Sequence, residues 1–307
     1  MKIGVIGAGQ WGQNIVRTLH ELDALGGVAD ASMERRIAIQ SLFDAPVHED
    51  YRAMLNDGID GVVIATPPES HAAIAIDAIS AGKHVLVEKP MALSSKEAGA
   101  IVEAAQAANR VLAVGHLLLY QPAVQKIAQY VREGRIGKLW ALHQERLNLG
   151  RIRDVENVLW SIGVHDVAVA LHLIGSKVTE TTFVGDKIVQ PEIEDDCYLH
   201  MAFENGAQSH LHCSWLWPER RRRSTLIGDK GIIVYDELEQ TVTLHKKFFE
   251  RSLTQNDQGA EMLFKGSGEP LKLEIQDFIG SIREGRSPIA DGNNGLAVIQ
   301  ALEAAGD

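Results

Sequence analysis

The chain has 307 residues, of which 30 are Lys or Arg and 41 are Asp or Glu, so its formal net charge is -11. Hydrophobic residues make up 45% and charged residues 23%, the balance of a globular protein long enough for two ordinary domains. Phosphate backbones repel a chain of this charge, so general binding to nucleic acid or to anionic membranes is disfavoured.

Cysteine usage and hydropathy indicate the cellular compartment. Cys197 and Cys213 form neither a Cys-x-x-Cys pair nor a disulfide framework, which is typical of a reducing environment. No apolar run reaches the length of a membrane span, and strand-like sequence begins at Lys2, where a signal peptide would stand. We therefore expect a cytoplasmic protein with no membrane partner and no nucleic-acid partner.

The first 118 residues alternate between short β-rich segments and helical patterns. The predicted strands are 2–6, one ending at Asp30, 61–65, 84–87 and 111–114. The predicted helices are 11–25, 32–43, 69–81 and 94–108, of which the last opens on a Ser-x-x-Glu capping box. Strict alternation specifies a doubly wound parallel sheet, so residues 1–118 are predicted to form a Rossmann domain in an α/β protein.

After residue 118, strand-like segments joined by turn signals dominate, which is typical of a mostly antiparallel sheet. The predicted helices are 122–132, 164–174, 271–284 and 296–305. The predicted strands are 139–147, 178–184, 197–203, 208–216, 222–227, 232–235 and 241–245. We predict that residues 119–307 form an α/β substrate-binding and oligomerisation domain with a largely antiparallel open sheet, whose last helix packs back on the first domain. An open sheet face is a natural association surface, so we expect a homodimer or homotetramer formed through it.

A glycine-rich loop, Gly7-Ala8-Gly9-Gln10-Trp11-Gly12, joins the first predicted strand to the first predicted helix. Glycines at this spacing let the backbone approach a pyrophosphate at a helix N-terminus. Asp30 lies 18 residues after Gly12, where a carboxylate binds the ribose hydroxyls of NAD and repels a 2′-phosphate. Arg35 and Arg36 weaken this preference slightly, because either side chain is long enough to reach such a phosphate. The alternative is a tight turn in an α/β domain that binds no nucleotide.

Glu88-Lys89-Pro90 follows a predicted parallel strand, at the edge where ligands bind in α/β sheets. Together with the glycine loop and Asp30, the segments 65–71 (Ala-Thr-Pro-Pro-Glu-Ser-His) and 81–90 (Ala-Gly-Lys-His-Val-Leu-Val-Glu-Lys-Pro) resemble the Gfo/Idh/MocA oxidoreductases. The resemblance covers nearly the whole chain, and segment 81–90 is highly specific to that family. It implies a Rossmann domain followed by an open-sheet α/β domain, and oxidation or reduction of sugar-like alcohols with NAD(P).

The resemblance also implies the catalytic and cofactor-binding residues. Lys89 is implied to bridge the substrate hydroxyl and the nicotinamide ribose, and His165, in the Gly-x-His motif 163–165, to act as general base. In the first turn of a helix the dipole disfavours the imidazolium, so a neutral imidazole there accepts a hydroxyl proton. Without the resemblance, a capping or core histidine is the preferred interpretation of His165. The implied cofactor-binding residues are Gly7, Gly9, Gln10, Trp11, Gly12, Asp30, Thr66, Pro67, His71, Glu88 and Lys89.

One position departs from the family pattern. Many relatives have an Asp four residues before this His, whereas the residue here is Ser161. A Lys-Asp-His site is therefore not expected, and Lys89 with His165 must suffice. Asp166 directly follows the His, points elsewhere on the helix and is given no catalytic role.

Segments 148–153, 156–161 and 214–218, with His116 and Tyr120, resemble the family members that act on nucleotide sugars. This resemblance implies that C3 of UDP-N-acetylglucosamine, or of its uronate, is oxidised to a ketone. The 3-keto sugar is then used by a partner aminotransferase, in lipid A or surface-polysaccharide synthesis.

Local positive charge supports a diphosphate ligand in this acidic chain. Arg146, Arg151 and Arg153 form one cluster and residues 220–223 another, although the second is equally consistent with a solvated strand edge that prevents aggregation. Aromatic side chains at positions 120 and 217 suit stacking on a base or a sugar. The predicted substrate-binding residues are Lys89, His116, Tyr120, Arg146, Asn148, Arg153, His165 and Trp217.

No metal site is predicted. His210 and His212 face the same way on a predicted strand, next to Cys213, but we find no further ligand at convincing spacing.

The sequence therefore favours an NAD-dependent dehydrogenase of UDP-N-acetylglucosamine. The alternatives are the uronate enzyme, a free-sugar or inositol dehydrogenase, and a non-catalytic sensor of NAD and a sugar nucleotide. Retention of both Lys89 and His165 argues against the sensor.

Overall fold

The protein, as a computed structural model that describes residues 1–250 and 252–306, consists of two mixed α/β units. Its strands are β1 (Ile3–Ile6), β2 (Leu25–Ala29), β3 (Val47–His48), β4 (Gly61–Ile64), β5 (His84–Val87), β6 (Leu112–Val114), β7 (Leu139–Leu149), β8 (Val178–Asp186), β9 (Asp196–Phe203), β10 (Gln208–Ser214), β11 (Leu216–Gly228), β12 (Ile232–Asp236), β13 (Thr241–Phe249) and β14 (Gln255–Lys265).

The helices agree closely with the periodicity of the sequence. They are α1 (Gln10–Glu21), α2 (Met33–Phe43), α3 (Tyr51–Leu55), α4 (His71–Ser80), α5 (Ser95–Ala107), α6 (Pro122–Arg132), α7 (Val164–Ile174), α8 (Pro270–Glu284) and α9 (Gly292–Ala304). Short 3-10 turns lie at Pro68–Ser70 and Leu117–Tyr120, and a π-helical segment at Leu159–Gly163 leads directly into α7. Among the described residues, none of these helices is both long and apolar enough to cross a membrane.

The first unit comprises Met1–Leu117 and Glu269–Ile299. Its six strands pair in parallel in the order β3-β2-β1-β4-β5-β6, which confirms the doubly wound sheet. The strand order reverses between β1 and β4, and in such sheets the crevice outside the carboxyl ends at that reversal is where ligands bind. The predicted N-cap of α5 is formed, because the Ser94 hydroxyl accepts a hydrogen bond of 3.2 Å from the Glu97 amide.

The second unit comprises Leu118–Gly268 and the residues from Gln300 onward. Its eight strands run in the order β14-β13-β12-β11-β7-β10-β9-β8, and every neighbouring pair is antiparallel except β7 and β10. Helix α7 packs on β7 and β10. Side chains alternate along each strand, so one set faces α7 and a second set, which includes His143 and Tyr198, lies on the opposite, open face of the sheet.

Three short or polar elements were not predicted from the sequence. Strand β3 has two residues and α3 has five, too few for a hydrophobic period to be recognised. Strand β14 is exposed along most of its length, so it lacks the apolar alternation that marks a half-buried strand. Backbone hydrogen bonds to the antiparallel strand β13 hold this segment in an extended conformation.

Helix α8 joins the core of the first unit. Phe278 is fully buried there, in a cluster that includes Ile3 and Val5 of β1 and Ile15 and Leu19 of α1. The C-terminal part of the chain thus completes the hydrophobic core of the N-terminal sheet.

We expect Phe278→Ala to lower the unfolding free energy of the first unit by about 3–5 kcal/mol, because it leaves a cavity in a close-packed core. Urea unfolding followed by intrinsic fluorescence measures this loss. Leu273→Ala, at a partly exposed position on the same helix, is the matched control and should cost much less. An equal loss in both variants would contradict the packing role of Phe278.

Candidate functional site

A cavity of about 530 Å³ opens at the carboxyl ends of β1, β2 and β4. Of the predicted cofactor-binding residues, it is lined by Gly7, Gly9, Gln10, Trp11, Asp30, Thr66 and Pro67. Arg35, Glu49 and Tyr51 complete its polar wall. Residues that follow four strands, β1 to β4, therefore meet at the place where the strand order reverses.

The glycine loop brings its own backbone into close contact. A Cβ atom at Gly12 would lie 2.0 Å from the Gly7 carbonyl oxygen, so no side chain fits at this position. Gly9 is the N-cap of α1 and provides no side-chain hydrogen bond, and the first turn of the helix contains no acidic residue. No capping side chain therefore occupies its first amide groups, as a helix N-terminus that receives a phosphate requires.

Asp30 is held firmly at the end of β2. Its carboxylate accepts hydrogen bonds from the Ala8 amide at 2.7 Å and from the Ser32 amide at 2.8 Å, and the side chain is almost fully buried. The Arg35 guanidinium lies 3.4 Å from the same carboxylate, whereas Arg36 donates to the Asp30 and Ala31 carbonyls. The glycine cradle, the uncapped helix and this carboxylate together fit a dinucleotide.

His71, which we predicted to bind the cofactor, does not line the cavity. Its imidazole is buried and lies 2.8 Å from the Thr66 carbonyl and 2.9 Å from the Pro90 carbonyl. The structure thus gives it an indirect role, because it fixes the segments that carry Thr66 and Lys89. The peptide bond between Lys89 and Pro90 is cis.

Glu88 directly follows β5, and its carboxylate accepts a hydrogen bond from the Trp11 indole of the glycine loop. Burial raises its pKa to about 7, although the bond from Trp11 and the charge of Lys89 oppose the rise. Glu274 of α8 interacts with Glu88 and has a pKa raised well above its usual range by burial and by the Glu88 charge. These two carboxyl groups therefore hold at least one proton between them near neutral pH.

His116 follows β6, next to the strand that ends before Lys89. Only 1% of its surface is exposed, and neither ring nitrogen has a hydrogen-bond partner among the described residues. Burial, with a smaller contribution from the Lys89 charge, lowers its pKa to about 3. The imidazole is therefore neutral at physiological pH, with two ring nitrogens that need partners.

In the second unit, His165 occupies the first turn of α7, as predicted. The π-helical segment Leu159–Gly163 precedes it, and such one-turn distortions are frequent at functional sites. A Cβ atom at Gly163 would lie 2.9 Å from the Cys213 sulfur, so only glycine lets this turn pack so closely on β10. Close packing against β10 therefore explains why the Gly-x-His motif has a glycine at this position.

Arg146 corrects one of our substrate-binding predictions. Its side chain is only 4% exposed, and its guanidinium binds both oxygens of Asp166 and one oxygen of Glu237. A cation enclosed in this way is not available to a diphosphate. The arginine instead links β7 to the first turn of α7.

Trp217 also differs from the prediction. Its ring lies edge-on to His212 at 5.1 Å, on the face of the sheet opposite to Cys213 and α7. The structure therefore does not bring Trp217 together with His165. Asn148, by contrast, alternates along β7 with Arg146 and shares the α7 face.

The remaining predicted residues of this unit have different environments. Tyr120 is buried, whereas Arg153 is exposed and its carbonyl accepts a hydrogen bond from Gln190. In the second arginine cluster, Arg221 pairs with Glu145 on the open face, but Arg222 turns towards Glu237. Because side chains alternate along β11, the arginines of this cluster lie on two different faces of the sheet.

Two acidic residues of these sites were missed or dismissed at the level of sequence. Glu274 lies on the buried face of α8 with Ile275 and Phe278, and its helical spacing from those residues was a readable signal. Asp166 was expected to have no catalytic role, and its partner in the structure, Arg146, lies 20 positions earlier. No local pattern identifies that pair.

Known proteins resemble the chain over most of its length. UDP-N-acetylglucosamine 3-dehydrogenase from Acidithiobacillus ferrooxidans is 29% identical over 302 residues, which cover 98% of this chain and 95% of the relative. Its solved structure superposes with a TM-score of 0.88 over 100% of this chain and 97% of that chain. Inositol 2-dehydrogenase 2 from Saccharopolyspora erythraea is 31% identical over 217 residues, 67% of this chain and 64% of the relative.

The fold is shared more widely. An oxidoreductase from Agrobacterium radiobacter, solved with NAD+, L-tartaric acid and magnesium, has a TM-score of 0.84 at 19% identity, covering 100% of this chain and 96% of that chain. Residues 1–116 match the oxidoreductase family with a NAD-binding Rossmann fold, and residues 124–234 match the C-terminal domain of the same family. With both domains matched, this chain belongs to the Gfo/Idh/MocA family of oxidoreductases, dehydrogenases that act on CH–OH groups with a nicotinamide dinucleotide.

Proposed function

We propose that this protein oxidises the C3 hydroxyl of UDP-N-acetylglucosamine to a ketone, with NAD as the oxidant. The observation that carries the proposal is the resemblance, over nearly the full length of both chains, to an enzyme named for that reaction. The product is a 3-keto sugar nucleotide, which a downstream aminotransferase consumes in lipid A or surface-polysaccharide synthesis. Such a pathway is cytoplasmic.

Lys89 and His165 divide the work on the substrate hydroxyl. The Lys89 ammonium binds the oxygen and stabilises negative charge that develops on it, and the His165 imidazole accepts its proton. A bound NAD supplies the acceptor for the hydride from C3. His116 is excluded as the proton acceptor because its depressed pKa makes it a poor base, so we assign it hydrogen bonding to the ligand.

A preference for NAD over NADP rests on the end of β2. The Asp30 carboxylate lines the cavity and is fixed by two backbone amides, so it is preorganised to accept bonds from ribose hydroxyls and to repel a phosphate. Arg36 is engaged by backbone carbonyls and by Glu49, which leaves Arg35 as the nearby cation on the cavity wall. A single half-exposed arginine, already beside Asp30, is a weak site for a 2′-phosphate.

Inositol or a related free sugar is the second candidate substrate. The chain is 31% identical to an inositol 2-dehydrogenase over two thirds of its length. Arg146 is enclosed by carboxylates and Trp217 lies on the open face of the sheet, so two side chains that favoured a UDP group no longer support it. The support for the two candidate substrates is therefore more nearly equal. The uronate is a further alternative, and self-association through the open face of the eight-stranded sheet stays a prediction.

Substrate class is tested by NADH absorbance at 340 nm with NAD and UDP-N-acetylglucosamine, in the presence of an aminotransferase and an amino donor. The coupling enzyme removes the ketone, because oxidation of an alcohol by NAD is unfavourable at neutral pH. We expect NADH formation that requires the UDP group and is much slower with NADP. Turnover of myo-inositol or glucose without that requirement would favour the second candidate.

Lys89→Ala is expected to lower kcat by about 1000-fold, because it removes a charge-stabilising donor from the reacting oxygen. Affinity for NAD, measured by calorimetry, should stay close to that of the parent protein. Lys83→Ala, which removes a lysine just before the other end of β5, is the matched control. Undiminished turnover in the Lys89 variant would remove this residue from the mechanism.

The His116 imidazole should stay neutral from pH 8 to pH 5, since burial places its pKa at about 3. Proton NMR of protein labelled at histidine Cε1 measures this, with the resonance assigned by its loss in His116→Gln. The chemical shift should not move across that range. A titration midpoint near 6 would contradict the assignment of His116 as a neutral hydrogen-bonding group.

A further inference from the structure

The turn that carries His165 continues directly from the π-helical segment Leu159–Gly163, and the Val164 amide donates to the Leu159 carbonyl. Gly163 adds no side-chain hydrogen bond to the first amides of α7. Further contacts to this turn come from the sheet beneath it.

Two neighbouring strands hold this turn. On β10, the Cys213 sulfur lies where a side chain at Gly163 would be. On β7, Arg146, the register partner of Cys213, binds both carboxylate oxygens of Asp166, the third residue of α7. Packing thus sets the height of the turn above the sheet, and the ion pair sets its rotation and lateral position.

The ion pair is part of a larger polar network. The Arg146 Nη2 atom, which donates to Asp166, also donates to Glu237 at 2.9 Å, just beyond β12. The Gln144 side-chain amide donates to the Asp166 carbonyl at 3.1 Å. Side-chain and main-chain atoms of Asp166 are therefore both attached to β7, which restrains the backbone immediately after His165.

Stability alone is a poor reason for this arrangement. Burying two charges removes their hydration, and well-packed apolar residues of similar volume often replace such a pair at no cost in stability. What apolar residues do not reproduce is the planar two-bond fork between guanidinium and carboxylate, which fixes distance and angle together. The network therefore suits a site where geometry matters.

We propose that Arg146 is a positioning residue that, through its buried ion pair with Asp166, fixes the first turn of α7 and with it the imidazole of His165. The proposal rests on the proposed function in one respect only, that His165 accepts the substrate proton. It gives the arginine that we had expected to bind substrate a role in placing the base instead.

Kinetics of four variants test this role. Arg146→Met removes the fork, Arg146→Lys keeps the charge but not the two parallel bonds, and the double variant R146M/D166L replaces the pair by an apolar contact. Arg222→Met is the matched control, because Arg222 is the register partner of Arg146 on β11 and shares Glu237 with it, but does not bind Asp166.

We expect kcat to fall by about 100-fold in Arg146→Met, because misplacing a reacting group by about 1 Å costs that much. Arg146→Lys should be intermediate, and Arg222→Met close to the parent. The double variant is decisive, since it should regain the thermal stability of the parent but not its kcat. KM and NAD affinity should change little in all four. A double variant that recovers both stability and kcat would overturn the proposal.

A spectroscopic measurement separates this inference from the choice of substrate. The Cε1–H resonance of His165, assigned with His165→Gln, should shift in R146M/D166L and stay in place in Arg222→Met, without any substrate present. An unchanged resonance in a folded double variant would refute the positioning role even if the enzyme were active. Should no sugar nucleotide be turned over by the parent protein, the proposed function fails and the resonance still decides this proposal.

Discussion

The reversal of strand order between β1 and β4 is the feature on which the cofactor half of the molecule depends. Parallel strands all end at one edge, and the loops that leave β1 and β4 diverge there because they cross to opposite sides of the sheet. The glycine loop, Asp30 and Thr66 therefore surround one cavity although they are far apart in sequence. Close approach of Gly12 to the Gly7 carbonyl then turns the start of α1 into that cavity.

Burial decides the protonation of the groups near the end of β5. Glu88, Glu274 and His116 are all removed from water, and in each case burial is the largest cause of the pKa shift. The shifts have opposite sign for acids and bases, so all three groups are driven towards their neutral forms. Two of these groups, Glu88 and His116, interact electrostatically with Lys89.

In the second unit, the alternation of side chains along β-strands decides which charged groups share a face of the sheet. Arg146 points to the α7 face and Glu145 to the open face, and the same separation applies to Arg222 and Arg221 on β11. Charges that are neighbours in sequence therefore belong to different surfaces. One surface contacts α7, the helix that bears His165, and the other carries aromatic rings and salt bridges, among them Trp217 against His212.

The sequence by itself determined the two kinds of sheet, most helix boundaries, the glycine loop and the family. These features rest on local periodicity or on short contiguous motifs, as in α6, where the predicted segment 122–132 agrees with the structure at both ends. It also brought Lys89 and His165 to attention, each as part of such a motif. Only the tertiary structure decided that Arg146 pairs with Asp166, that Trp217 lies on the other face from α7, and that Glu274 approaches Glu88. Those facts depend on which face of a strand or helix meets which neighbour. Long-range pairing sets this, and no local pattern encodes it.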